Sequence, residues 1–486
     1  MVNQAKVIKK IIIKADIKTC SPLRIGSGET DGITDILILK DKQGRAFIPA
    51  TSLAGVLRAK TAAVYSEAAA EKLFGRIGKD DSDSNANQSM INISDIILES
   101  GGLIHRDGVK INEITGVGEK GAKYDFEALD RGAHGRLNIE ITIRQHDLDT
   151  AVQMDMAHNG VQDSYSEMAY TIADLLSSGI QVGSLTTKGY GEIKSDKAKC
   201  YEFDFTQKTA AQNWLSYLDD QNKVPKESYI GKNRQNILGG KELCIEADFA
   251  LQNSLIVRDY DENNIASQNE TDNITAVQMT SGGDYIIPGT GLKGALRNKA
   301  FDILMTLTGN DESRVQKKLN DIMGFANEQR QANGDVKSSG RRSNLYIKDI
   351  YISKDKLHSM KQTRNRIDRF TGGTIDSALF SEEPIWQTDK NVPYIHMSLR
   401  VKDCDEAQVG LMLLILRELW QGNLPIGGGK SIGRGVLHGR KCAIQYKDAD
   451  KKEHKFSLEQ KDNLIVIGDK NLLESYVQKL AGECNG

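Results

Sequence analysis

The feature that most constrains how this chain can fold is that it contains the same pattern twice. Thr30-Asp31-Gly32-Ile33-Thr34 recurs as Thr271-Asp272-Asn273-Ile274-Thr275, and FIPATSLAGVLRAK (47–60) recurs as IIPGTGLKGALRNK (286–299). INISDIIL (91–98) matches LYIKDIYI (345–352), INEITG (111–116) matches IDRFTG (367–372), and VGSLTTKGYGEI (182–193) matches IGGGKSIGRGVL (426–437). The blocks keep one order, at offsets of 241, 239, 254, 256 and 244 residues, so the copies differ by insertions between blocks. Repetition at this scale means two supersecondary units of one kind. The 486 residues divide accordingly: a first domain at 1–204, a linker at 205–240, and a second domain at 241–486 with a C-terminal extension. The largest jump falls on GNDESRVQKKLNDIMGFANEQRQANGDVKSSGRRSN, which reads as a polar loop region.

Each copy reads as strand, Gly-rich turn, strand, helix, strands, and then a late helix and a Gly-rich loop. Leu53, Val56 and Leu57 fall at helical spacing after Thr51 or Ser52, which are candidate caps; Leu292, Ala295 and Leu296 do the same after Thr290. IADLLSSGI and VGLMLLILRELW supply the second helices. Strands on either side of two helices give an α+β, ferredoxin-like split βαβ arrangement in each copy.

Composition excludes several classes. No apolar run approaches the ~18 residues of a membrane span, and the N-terminal VIKKIIIKADIK reads as a strand, not a leader. The six cysteines lie far apart without a C-x-x-C pair, which argues against a zinc site or disulfide framework and fits a reducing cytoplasm. A net charge of −2 argues against non-specific coating of nucleic acid, so any such role rests on local cations. Gly429-Lys430-Ser431 resembles the end of a phosphate loop. The glycine required five positions earlier is Leu424, however, and Ile432-Gly433-Arg434-Gly435 breaks the helix that should follow. Its partner in the first copy reads Thr186-Thr187-Lys188, which no NTP site would survive, so no NTP is expected.

The PLRIGSGETDG turn, the FIPATSLAGVLR helix start, the strand ending in Ser-Asp, the ITG segment and the closing G-x-x-x-x-x-G-x-G loop together resemble the RAMP superfamily of CRISPR-associated proteins. The match is to backbone subunits of type III effector complexes, and two in one chain resemble the double-domain subunit of type III-D complexes. The resemblance covers residues 10–200 and 242–440. It implies two tandem ferredoxin-like, RRM-like RAMP domains, each with an extended β-hairpin thumb that wedges between bases. The implied partners are guide CRISPR RNA, complementary target RNA and other CRISPR-associated backbone and large subunits, with no membrane.

The residues are compatible with this. A helix N-terminus offers N–H groups to phosphate, which puts Ser52, Arg58 and Lys60, and Thr290, Lys293, Arg297 and Lys299, in reach of an RNA backbone. Arg24 belongs to the first Gly-rich turn. Arg364, Arg366 and Arg369 with Phe370 combine cations with an aromatic, as in proteins that hold splayed RNA. Thr186, Thr187 and Lys188, and Lys430, Ser431 and Arg434, supply polar groups in loops whose glycines allow close approach of an RNA backbone.

The resemblance also implies a catalytic aspartate after the first strand, in a loop before an apolar strand ending in Lys-Asp. TDGITDILILKD puts Asp35 there, with Asp31 nearby. In TDNITAVQMTSG the same alignment sets Ala276 opposite Asp35 and leaves Asp272 as the weaker candidate of the second copy. A loop carboxylate beside an unstacked nucleotide can hold a hydrated divalent cation, Mg or Mn, at Asp35, or help deprotonate a 2′-hydroxyl. His134 is the other acid-base candidate, without a counterpart in the second copy. The expected function is RNA-guided, metal-dependent endoribonuclease activity in the first copy. A non-catalytic guide-RNA scaffold and a guide-processing endoribonuclease remain the alternatives.

Overall fold

The structure, a computed structural model, describes residues 5–30, 34–78, 86–149, 164–234, 240–259, 274–330, 336–376 and 378–485. They divide into two compact units. One comprises Met1–Val109, Ala122–Thr186 and Tyr190–Gly239; the other comprises Lys110–Gly121, Thr187–Gly189 and Gly240–Gly486.

In the first unit the opening strand Val7–Thr19 is central. It pairs antiparallel with His134–Arg144 on one side and with Lys199–Asp204 and Glu192–Ser195 on the other. Ile91–Ile93 pairs with the outer side of His134–Arg144, and Tyr229–Ile230 with the outer side of Lys199–Asp204. Helices Ala50–Val64 and Ser164–Ser178 bring Leu53, Leu57, Met168, Ile172 and Leu176 onto Ile11, Ile13 and Ile17 of the sheet. The second unit repeats the plan. Glu242–Leu251 pairs with Ile395–Lys402 and Leu437–Lys447, Leu345–Ile347 lies beyond Ile395–Lys402, and helices Gly289–Leu307 and Glu406–Trp420 supply the covering apolar faces. Two ferredoxin-like domains in tandem are therefore what the repeated blocks encode. Glu453–Gln460 and Leu464–Ile467 extend the second sheet at one edge, and helix Lys470–Asn485 follows.

The long insertion is not a plain loop. It forms helix Glu312–Met323 and the hairpin Phe325–Arg330/Val336–Arg341. The helical signal was legible: Val315, Leu319, Ile322 and Met323 are the buried face, Asp311 accepts from Arg314 N at 3.2 Å, and Gly324 closes the end at φ 70°. Abundant lysine and asparagine between those positions hid it. The stretch 205–240 carries helix Lys208–Asp219, whose Tyr217 packs with Phe203 and Trp214.

The helix caps differ from the sequence expectation in both repeats. Thr51, Ser52 and Thr290 do not cap: the N-cap residues are Pro49 and Pro288, which have no cap side chain to offer. A carboxylate from a distant strand does the work instead. Asp95 Oδ1 accepts from Ala50 N, and Asp349 Oδ1 from Gly289 N, each at 2.7 Å. These are the aspartates of the repeated Ser-Asp and Lys-Asp strand ends. An anionic cap complements the helix dipole.

Candidate nucleic-acid interface

The Gly-rich loops owe their glycines to the fold. A Cβ on Gly191 would lie 2.0 Å from Val182 O, and one on Gly435 1.8 Å from Ile426 O. Gly191 N donates to Pro22 O and Gly435 N to Ser254 O, both at 2.7 Å, so each loop is bound edge-on to the opening turn of its own repeat. Between the glycines lie two single 3₁₀ turns, Thr186–Lys188 and Lys430–Ile432. Lys430 and Ser431 are exposed, Thr187 and Lys188 half-buried, and Thr186 buried.

Hydrogen-bond register fixes which residues of the two repeats correspond. Gly26 bridges Ile38 as Arg258 pairs with Gln278, and Lys40 bridges Ala46 as Thr280 pairs with Tyr285. Ile36 bridges Phe126 in parallel as Ala276 pairs with Glu382. The sequence alignment of the Thr-Asp-x-Ile-Thr blocks is therefore one residue out of register here: Asp35 corresponds to Thr275, not to Ala276. Asp31 and Asp272 lie outside the described residues.

Asp35 is exposed, and its Oδ2 accepts from Asp125 N at 2.9 Å. Asp125 sits on strand Gly118–Leu129, the second arm of a hairpin whose first arm is Leu103–Ile111. A hydrogen bond shared with Asp107 pushes the Asp125 carboxyl above its usual range, assisted by burial and by the Asp107 charge. Lys123 Nζ lies 3.1 Å from Asp107 and 3.8 Å from Asp125. The strand next to Asp35 is held by a buried glutamate: Glu127 Oε2 accepts from Ile38 N at 3.1 Å, and Oε1 pairs with Lys40 Nζ at 2.9 Å. Sequence reading missed Asp107, Asp125 and Glu127 because hairpin pairing, not proximity in the chain, brings them to Asp35.

In the second repeat the three carboxylates have hydroxyl counterparts. Thr275 Oγ1 donates to Ser381 O at 2.8 Å, and Thr363 Oγ1 meets Ser381 Oγ at 2.9 Å. Register places Thr363 across from Ser381 there, as Asp107 faces Asp125 in the first repeat. For a divalent cation, the donor set at Asp35 fits a hydrated ion held by one or two carboxylates. Among the described residues no group of three or more His, Cys, Asp or Glu forms a full protein cage.

The hairpin tips share one turn. Asn112 Oδ1 accepts from Ile114 N and Thr115 N, and Asp368 Oδ1 from Phe370 N and Thr371 N; Gly116 and Gly372 follow, each at φ 67°. At the apex each turn exposes one apolar side chain, Ile114 at 72% and Phe370 at 100%. Arg366, Arg369 and Phe370 border one recess of about 400 Å³. Arg364 stands lower, half-buried, and donates to Gln362 Oε1 at 2.9 Å.

Several of the expected RNA-binding cations are buried or paired within the protein. Arg434, 1% exposed, pairs with Glu382 Oε2 at 2.6 Å and donates to Gln362 Oε1 at 2.7 Å. Lys293 is buried, with Ser343 Oγ and Leu345 O each 2.7 Å from Nζ; burial lowers its pKa to about 7, with Lys188, Arg297 and Arg342 adding to the effect. Arg297 pairs with Glu113 at 2.5 Å and Arg58 with Glu67 at 2.9 Å. Arg24 is buried with its guanidinium 4.6 Å from the Phe126 ring centre. Lys60 is half-buried, and His134 is exposed at the start of its strand.

Each of the two ferredoxin-like domains carries a Gly-rich closing loop and a hairpin. A sequence model of the RAMP superfamily matches residues 16–194 and again 237–438. The chain belongs to the RAMP superfamily and is a CRISPR-associated protein with two copies of its domain. Proteins of this superfamily bind CRISPR RNA and other CRISPR-associated subunits, and some are endoribonucleases. A search of curated proteins found none that matches the chain. Among the described residues no helix is long and apolar enough to cross a membrane.

Proposed function

We propose that the chain is a tandem backbone subunit of a type III, type III-D-like effector complex, that both repeats bind guide RNA, and that the first cuts complementary target RNA. The observation that carries this reading is the replacement of Asp35, Asp107 and Asp125 by Thr275, Thr363 and Ser381 at matching places on one backbone. Asp35 is exposed and fixed by Asp125 N at 2.9 Å, so its second oxygen can take a proton from a 2′-hydroxyl of an unstacked nucleotide. The 2′-oxygen then bonds to the adjacent phosphorus, the bond to the 5′-oxygen breaks, and that oxygen takes a proton from water. A bound Mg or Mn would neutralise charge developing on the phosphate. Ile114 and Phe370, exposed at the hairpin tips, supply apolar wedges of the sort that unstack bases.

The test is assembly of the complex with Asp35→Ala and, separately, Thr275→Ala, followed by mapping of target fragments. Asp35→Ala is expected to slow its cuts by about a hundredfold or more, the scale of a lost acid-base group, while Thr275→Ala leaves every cut in place. Cuts that all persist in Asp35→Ala would leave the chain a guide-RNA scaffold.

A further inference from the structure

Arg24 and Arg106 are the two arginines at the base of the first hairpin, 8% and 6% exposed, and among the described residues neither has a carboxylate partner. Arg24 stacks on Phe126. A Cβ on Gly108 would run into the Tyr124 ring, which sets Gly108 across from Tyr124 and therefore Arg106 across from Phe126, as Gln362 pairs with Glu382 in the second repeat. Cross-strand neighbours of this kind lie ~5 Å apart at Cβ. Nε of Arg24 and Nη2 of Arg106 are buried and have no hydrogen-bond acceptor among the described residues. Buried donors are nearly always satisfied, and a buried cation is normally paired.

The second repeat shows how such a place is closed. Glu382 stands where Phe126 does and takes Arg258 Nε on Oε1 and Arg434 Nη1 on Oε2, both at 2.6 Å, while Gln362 stands where Arg106 does and takes Arg434 Nη2. Two arginines there surround an internal anion. In the first repeat two arginines surround an aromatic ring, and Tyr190 occupies the place of Arg434, edge-on to Phe126. Burial lowers the Arg24 pKa, an effect the nearby Tyr124 and Tyr190 partly offset.

We infer that Arg24 and Arg106 form a binding site for an RNA phosphodiester, the external counterpart of the Glu382 carboxylate. Successive side chains of a strand point to opposite faces, so this site lies across Gly118–Leu129 from Asp35, Asp107 and Asp125. One face of the hairpin base then holds backbone phosphate, and the other carries the carboxylates. The inference rests on the RNA-binding reading and is independent of whether Asp35 cuts.

The test uses the full chain and a single-stranded RNA oligonucleotide, with affinity measured over a range of salt and the thermal midpoint measured without RNA. Arg106→Gln, which copies Gln362, is expected to bind RNA about tenfold more weakly, with a salt slope smaller by about one. Its midpoint without RNA stays level or rises, because an uncompensated charge has gone. Phe126→Glu, which copies Glu382, is expected to raise the midpoint and weaken RNA binding. Wild-type affinity and slope in both variants would overturn the inference, as would a lowered midpoint in Arg106→Gln with RNA binding unchanged. Absence of RNA binding by the wild-type chain would instead sink the RNA-binding reading itself.

Discussion

At the base of the first hairpin one strand carries Asp125 and Phe126 in succession, and at the base of the second the same places hold Ser381 and Glu382. The backbone is shared down to the parallel bridge beside each. Charge is exchanged across the strand: among the described residues the first repeat has carboxylates on one face and arginines without a carboxylate on the other, and the second has hydroxyls on one face and an Arg-Glu-Arg cluster on the other. A buried ion network contributes little stability over a well-packed apolar equivalent, yet it is costly to break. The second hairpin base thus pairs its anion with two arginines of its own, while at the first Lys123 stands beside Asp107 and Asp125 and, among the described residues, Arg24 and Arg106 have no carboxylate partner.

The comparison can be broken in order of effect. The hundredfold loss expected for Asp35→Ala against none for Thr275→Ala is the largest. Next is Glu382→Gln, which leaves Arg258 and Arg434 without their shared anion and should destabilise the second unit by about 3 kcal/mol. Denaturant unfolding measures it, and a change within error would mean that the cluster is not integral. The network also sets an acid limb. Burial alone would raise the Glu382 carboxyl, but hydrogen bonds from Arg258 and Arg434 outweigh it and hold it below the usual range. A depressed folded-state pKa contributes stability above the unfolded value of about 4.3 that is lost as pH falls further. The wild-type midpoint should therefore drop more steeply than that of Glu382→Gln on acidification.

The capping aspartates offer a symmetrical control. Asp95→Ala and Asp349→Ala should each cost about 1 kcal/mol, and a much larger cost in one would show that the repeats use this contact differently. A further difference lies at Lys293, present only in the second repeat, where the first has Ala54. Its folded-state pKa of about 7 lies below the unfolded value of about 10.4, so the unfolded chain binds more protons between them and stability rises with pH over that range. Lys293→Met should flatten this rise, as thermal midpoints at pH 7 and 10 would reveal.

Much of this protein was legible in one dimension. Five repeated blocks announced two domains of one kind, and helical spacing at Leu53, Val56 and Leu57 marked a core-facing helix. The same spacing in VQKKLNDIM is masked by the polar residues between its apolar positions. What the sequence misplaced were contacts made across it: caps assigned to Thr51, Ser52 and Thr290 came from Asp95 and Asp349. What it left unseen is that Gly191 and Gly435 make room for the chain's own carbonyls at Val182 and Ile426.

By itself the sequence determined the number and class of the domains, because repetition and hydrophobic periodicity are local properties that survive in a linear string. Only the tertiary structure decided that Asp35 answers to Thr275, and that Arg434 and Lys293 are turned inward while Arg24 and Arg106 have no carboxylate partner among the described residues. Those outcomes depend on strand register, and a shift of one residue in register moves every side chain of a strand to the opposite face.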